Sequence, residues 1–185
     1  MYSYFTIALF CVSLFYSKLG LSLIESNPNN FTTVSELDVS LYTGHWYQVY
    51  AAPVDFTFQG PGKCITADYG ILGNNNVSVY NYQENLQTGS PESISGYAFY
   101  KNLSEPGQLS VYLEGAPFIA PYWVLNLGPV SNNQYSWSIV SVPFGSSLWV
   151  LARNVELFFS KYDDDVVKLL NQYGFKYFIV EQDDC

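Results

Sequence analysis

The chain has 185 residues, enough for one domain with a sizeable core; 49% of them are hydrophobic and 18% aromatic, and only 12% are charged. An average globular domain is about 25% charged and disordered chains are richer still, so disorder is excluded. Sixteen acidic residues against seven basic ones give a formal charge of −9, which repels phosphate backbones and argues against nucleic acid as a partner. One His and three Cys, without Cys-x-x-Cys or His-x-x-x-His spacing, exclude a zinc cluster, and no metal or cofactor is expected.

In chain order, residues 5–16 form an apolar run without a charged side chain, the length of a signal-peptide core and too short to span a bilayer. Gly20 and Ser22 suit its cleavage positions. Residues 1–22 are therefore expected to be a signal peptide and the mature chain to be secreted and extracellular. Its removal takes away Cys11 and leaves Cys64 and Cys185, an even pair that reads as one disulfide. Closing a loop of roughly 120 residues, such a bond contributes about 4 to 5 kcal/mol by chain entropy. Sequons at Asn30, Asn76 and Asn102 fit a secretory route and are candidate N-glycosylation sites.

Residues 23–33 form a polar, turn-rich leader, and residues 34–185 are read as one domain. Apolar and polar residues alternate over 46–54, 63–72, 77–84, 93–101, 108–114, 122–127, 135–142 and 147–153, which predicts eight antiparallel strands. Links such as Gly73-Asn-Asn-Asn, Thr88-Gly-Ser-Pro and Glu105-Pro-Gly are of hairpin length. The period then changes. Val166, Leu169, Leu170 and Tyr173 fall at helical spacing, with Ser160 as the expected N-cap, the acids 163–165 in the first turns and Gly174 past the end. A final strand over 175–180 leads to Cys185.

Eight short sequential strands, one C-terminal α-helix and a short closing strand predict an all-β, eight-stranded antiparallel up-and-down barrel. A barrel of that size has an interior just large enough for one small ligand. Alternation directs Ile65, Ala67, Tyr69 and Ile71 inward on the second strand. On the next two stripes it directs Ile94, Gly96, Ala98 and Tyr100, then Leu109, Val111 and Leu113. Gly96 and Ala98, small among large neighbours, are expected to leave space for a pocket.

The run Gly44-His45-Trp46-Tyr47 resembles the Gly-x-Trp signature of the lipocalins, and Leu148-Trp-Val-Leu-Ala-Arg153 resembles their last barrel strand. Within that family the likeness is to the apolipoprotein D and bacterial lipocalin group, carried by residues 62–69, 79–81, 120–125, 149–153 and the terminal cysteine. The resemblance covers about residues 34–185. It implies that Arg153 lies over the indole of Trp46, and again a Cys64–Cys185 bond. One signature departs: the usual Thr-Asp-Tyr between the sixth and seventh strands is replaced by Asn132-Asn-Gln-Tyr135, so only Tyr135 is kept in the bottom loop.

The resemblance also implies a ligand cavity lined by Tyr69, Asn81 and Trp149. Strand parity adds Ala67, Ala98, Tyr50 and Tyr100 as candidates. No enzyme is expected. The isomerase route known in the family needs a free barrel cysteine, and both mature cysteines are committed. His45, of opposite parity to Trp46, points outward. Acid chemistry would need Asp55 or Glu114 at the mouth. The expected function is a secreted carrier of one small hydrophobic molecule of the fatty acid, sterol, bilin or retinoid class, with transient contact to a membrane or receptor. The alternative is an extracellular interaction protein acting through its loops with a vestigial cavity. Neither the oligomeric state nor the ligand is legible at this level.

Overall fold

A computed structural model describes residues 31–55, 60–74, 76–183 and 185; the segment expected to be a signal peptide and the Asn30 sequon lie outside the described residues. A short helix, α1 (Val39–Tyr42), is capped by Asp38, whose carboxylate accepts the Ser40 N–H. It leads into β1 (Gly44–Ala51), β2 (Gly62–Leu72), β3 (Asn76–Asn85), β4 (Pro91–Tyr100), β5 (Gln108–Leu113) and β6 (Ala120–Leu127). A two-residue-per-arm hairpin, β7 (Val130–Ser131) and β8 (Gln134–Tyr135), precedes β9 (Trp137–Ser141) and β10 (Leu148–Ala152). Each large strand pairs antiparallel with the next, and β10 returns to β1, so the sheet closes into the expected eight-stranded barrel.

Two clusters divide the apolar side chains. Inside the barrel, Trp46, Val79, Val124, Val140 and Leu151 pack together. Outside, over β1, β9 and β10, Val49, Ile139 and Val150 pack against Phe158, Val166 and Leu170 of the C-terminal helix. That helix starts earlier than its apolar period predicts. Asn154 caps it by accepting the Leu157 N–H; it runs through Val155–Leu157, a π-helical turn Phe158–Tyr162 and Asp163–Tyr173. Ser160 is thus not the cap: it sits inside the π-helical turn, its hydroxyl donating to the Leu157 carbonyl. The end is as expected, with Gly174 in the left-handed region at φ 77°, a conformation glycine adopts without a Cβ clash.

The C-terminal segment closes a seam. β2 carries an irregularity between Lys63 and Thr66, with Cys64 at φ 52°, and this turns its first residues away from β1. Into the gap comes β11 (Phe178–Ile179), paired with Tyr50 and Ala51 of β1. The Cys64 N–H donates to the Glu181 carbonyl, and the Gln182 amide donates to the carbonyls of Gln48 and Ile65, one on each side of the gap. The Cys64–Cys185 disulfide fastens the end of this segment, with the two Cα atoms 5.5 Å apart.

The structure corrects three parity expectations. Tyr50 faces outward: a shift between Gln48 and Tyr50 sets it opposite Val150, in the cluster beneath the helix. Ile71 is 67% exposed, because β1 meets β2 only as far as Tyr69, and β2 overshoots the barrel from there. Gly96 does not make room for a ligand. A Cβ there would lie 1.9 Å from the Tyr112 carbonyl oxygen, so the glycine permits the close approach of the β4 and β5 backbones.

Candidate ligand cavity

The closed end is built around Trp46, which is fully buried. Its indole N–H donates to the Tyr42 carbonyl at 2.8 Å, and the Arg153 guanidinium carbon lies 3.6 Å from its ring centroid. Arg153 directs its N–H groups at the carbonyls of Tyr42, Thr43, His45 and Tyr135. It thereby caps the C-terminal end of α1, where carbonyls lack helical partners. Burial lowers its pKa to about 10, still well above neutrality. Gly44 passes beside it at φ 100°, where a Cβ would come within 2.8 Å of the Gln134 amide nitrogen; the first residue of the motif has no room for a side chain.

The replaced bottom-loop signature keeps this packing. Asn132 and Asn133 both have positive φ, the conformation of a tight β7–β8 hairpin turn. Gln134 then donates to the Thr43 carbonyl, and the Tyr135 hydroxyl accepts the Asp38 N–H. His45 faces out, 2.9 Å from the Asp68 carboxylate.

Above Trp46 the barrel encloses a cavity of about 1090 Å³, at the upper end of the usual size of small-molecule sites. Ala67, Tyr69, Asn81, Ala98 and Trp149 all line it, together with Val77, Val79, Leu109 and Leu151. Tyr50 does not, for the reason given above. Tyr100 packs in the inner cluster without lining the cavity.

Its floor holds groups that sequence reasoning missed. The hydroxyls of Tyr42 and Tyr122 are 2.8 Å apart, those of Tyr69 and Tyr122 are 3.1 Å apart, and Tyr42 reaches the Ser138 hydroxyl at 3.0 Å. Burial raises all three phenol pKa values, that of Tyr42 to about 12, so they are neutral hydrogen-bonding groups at physiological pH. Tyr42 belongs to α1, which has too few residues to give a periodic signal. Tyr122 was in reach, because alternation pairs it with Val124 on one face of β6.

At the open end Asp55, Glu92 and Glu114 line the cavity. Asp55, only 2% exposed, accepts the N–H groups of Ala52 and Leu148; desolvation raises its pKa. Glu92 accepts from the side-chain amides of Gln83 and Asn85, which lowers its pKa. Asn102 is exposed in the β4–β5 turn, and Asn76 opens β3. Among the described residues no helix is long and apolar enough to cross a membrane, and no group of three metal-ligating side chains converges.

Residues 37–182 match the family described as a lipocalin-like domain. The chain is a lipocalin. It is 35% identical to apolipoprotein D of Oryctolagus cuniculus over 120 residues, 63% of this chain and 61% of that one. It is 32% identical to the outer membrane lipoprotein Blc of Vibrio cholerae over 126 residues, 68% and 70% of the two chains. This lipocalin thus spans about three fifths of the length of the apolipoprotein D it matches. The solution structure of lipocalin 12 from rat epididymis shares the fold, with a TM-score of 0.62 over 87% of this chain and 95% of that one at 14% identity. Lipocalins typically hold a small hydrophobic ligand in the barrel and are generally binding proteins, not enzymes.

Proposed function

We propose that this lipocalin is a secreted carrier that encloses one small hydrophobic molecule of the sterol, retinoid, bilin or fatty acid class. The observation that carries the reading is the cavity of about 1090 Å³, walled by aliphatic and aromatic side chains and closed below by Trp46. Transfer of apolar surface from water to such walls contributes about 25 cal/mol per Å². Uptake is therefore partitioning, through the end opposite Trp46 and Arg153. Tyr69, Asn81, Trp149, Ala67 and Ala98 are the residues proposed to touch the ligand, and the Cys64–Cys185 bond suits an oxidising compartment. The cavity also speaks against a vestigial interior, which would be packed solid. Native mass spectrometry of the secreted protein, with displacement of an environment-sensitive apolar probe, tests the reading. One bound lipid per chain, competing with the probe, is expected; a protein that takes up no apolar molecule overturns it.

A further inference from the structure

Two features of the cavity select the charge and the orientation of its ligand, an inference that rests on the carrier reading above. The first is the mouth. Three carboxylates, Asp55, Glu92 and Glu114, line the cavity, and among the described residues no Lys, Arg or His does. A ligand carboxylate held at the mouth would face like charges with no counter-ion, in a chain whose formal charge is already −9.

The second is the floor. Ser138, Tyr42, Tyr122 and Tyr69 form a chain of four hydroxyls joined by three contacts. Each hydroxyl carries one proton, so three contacts engage three protons and one is left over; the cooperative arrangement, in which every hydroxyl donates in the same direction, leaves it at one end of the chain. If it remained on Ser138, which is fully buried and does not line the cavity, a donor would lie unmatched in a dry core, an arrangement proteins avoid. Running the other way, Ser138 donates to Tyr42, Tyr42 to Tyr122 and Tyr122 to Tyr69. The Tyr69 hydroxyl then presents its proton to the cavity. A single neutral donor matches one carbonyl or hydroxyl oxygen. It does not compensate the desolvation of a carboxylate, and Arg153 already directs its N–H groups at backbone carbonyls.

We infer that the cavity is specific for an uncharged lipid bearing a hydrogen-bond-accepting oxygen, seated oxygen-down on Tyr69, and that it rejects the carboxylate of the same skeleton in either orientation. All-trans retinol and all-trans retinoic acid, matched in skeleton and differing in head charge, provide the test by quenching of tryptophan fluorescence, since Trp149 lines the cavity. Retinol is expected to bind at least about tenfold more tightly than retinoic acid. In the double variant Glu92→Gln with Glu114→Gln, which leaves the buried Asp55 in place, the gap narrows by about threefold or more, through a gain for the acid. Tyr69→Phe weakens retinol by about 2- to 10-fold. Retinoic acid binding as well as retinol, or a gap unmoved by the double variant, overturns the charge selection; unchanged retinol affinity in Tyr69→Phe overturns the seating. If neither retinoid binds and no apolar probe is taken up, the carrier reading itself fails and this inference falls with it.

Discussion

The two ends of the barrel use the same residue types for opposite purposes. At the closed end Trp46 is fully buried, hydrogen-bonded to the Tyr42 carbonyl and stacked under Arg153. At the open end Trp149 lies on the same inner face and lines empty volume. Polar groups divide in the same way. The closed end pairs Arg153 with carbonyls from α1, β1 and β8, whereas at the open end the cavity lining gathers carboxylates and, among the described residues, no cation. The two tryptophans on one inner face thus differ in surroundings, Trp46 packed and hydrogen-bonded and Trp149 bordering the cavity. Parity within the strand does not decide this difference.

The largest expected effects set the two tryptophans against each other. Trp46→Ala removes a fully buried indole and strands Arg153, and should lower stability by about 3 to 5 kcal/mol in urea unfolding. Trp149→Ala enlarges space that is already open, and should lower stability by less than about 2 kcal/mol while weakening uptake of an apolar probe by roughly tenfold. Equal losses of stability in the two variants would erase the distinction between the ends.

The wall between them depends on the C-terminal segment. Replacing Cys64 and Cys185 by Ser frees the segment that fills the β1–β2 seam, at an expected cost of about 2 to 5 kcal/mol. Hydrogen exchange should quicken first at the amides of residue 64 and Val180, which bond to Glu181 and Val49 across the seam, and last around Trp46. Uniform acceleration over the whole barrel would show that the disulfide supports both ends alike.

Alkaline titration addresses the buried phenols, those of the closed end together with Tyr50 and Tyr173 beside the C-terminal helix. Tyr42 is pushed up to about 12 by burial, and Tyr69 and Tyr122 are also raised. Between pH 10 and 12 the unfolded chain releases these protons while the folded chain keeps them. Their contribution is therefore complete below about pH 10 and is lost above it, by about 1.4 kcal/mol per pH unit for each phenol. Arg153, lowered to about 10, acts in the opposite sense over the same range and offsets part of the loss. Urea midpoints measured from pH 8 to 11.5 should fall above pH 10, and Tyr122→Phe should flatten the fall. A flat profile in the parent protein would mean that the phenols are not held neutral by the fold.

Much of this was legible before the structure. The eight strands and the helix around Val166 and Leu170 follow from short-range periodicity, the Cys64–Cys185 pair from the cysteine count, and the Trp46–Arg153 stack from the lipocalin resemblance carried by two motifs. What was lost lies where periodicity breaks. An irregularity after Gln48 turned Tyr50 out, an overshoot exposed Ile71, and the close approach of β4 and β5 made Gly96 a backbone requirement. The floor was lost for another reason. Tyr42 comes from a four-residue helix, and its partners Tyr69, Tyr122 and Ser138 come from three different strands, so no local pattern links them.

The smallest effect belongs to a residue that simple alternation assigns to the ligand. Tyr50 has the inward parity of Trp46 and Gln48, and its hydroxyl would be a natural contact for a polar head. The irregularity in β1 sends it instead beneath the C-terminal helix, where its ring meets Phe158, Phe159 and Tyr177 and its hydroxyl donates to Asp163 at 2.7 Å. Tyr50→Phe keeps the ring and removes one hydrogen bond, so stability should fall by about 1 kcal/mol while probe uptake stays unchanged. The same substitution at Tyr69 also removes a hydrogen bond, to Tyr122, but should in addition weaken retinol uptake. A loss of uptake in Tyr50→Phe would return that side chain to the cavity and restore strict alternation along β1, and with it a wider aromatic cup than the one bounded by Tyr69 and Trp149.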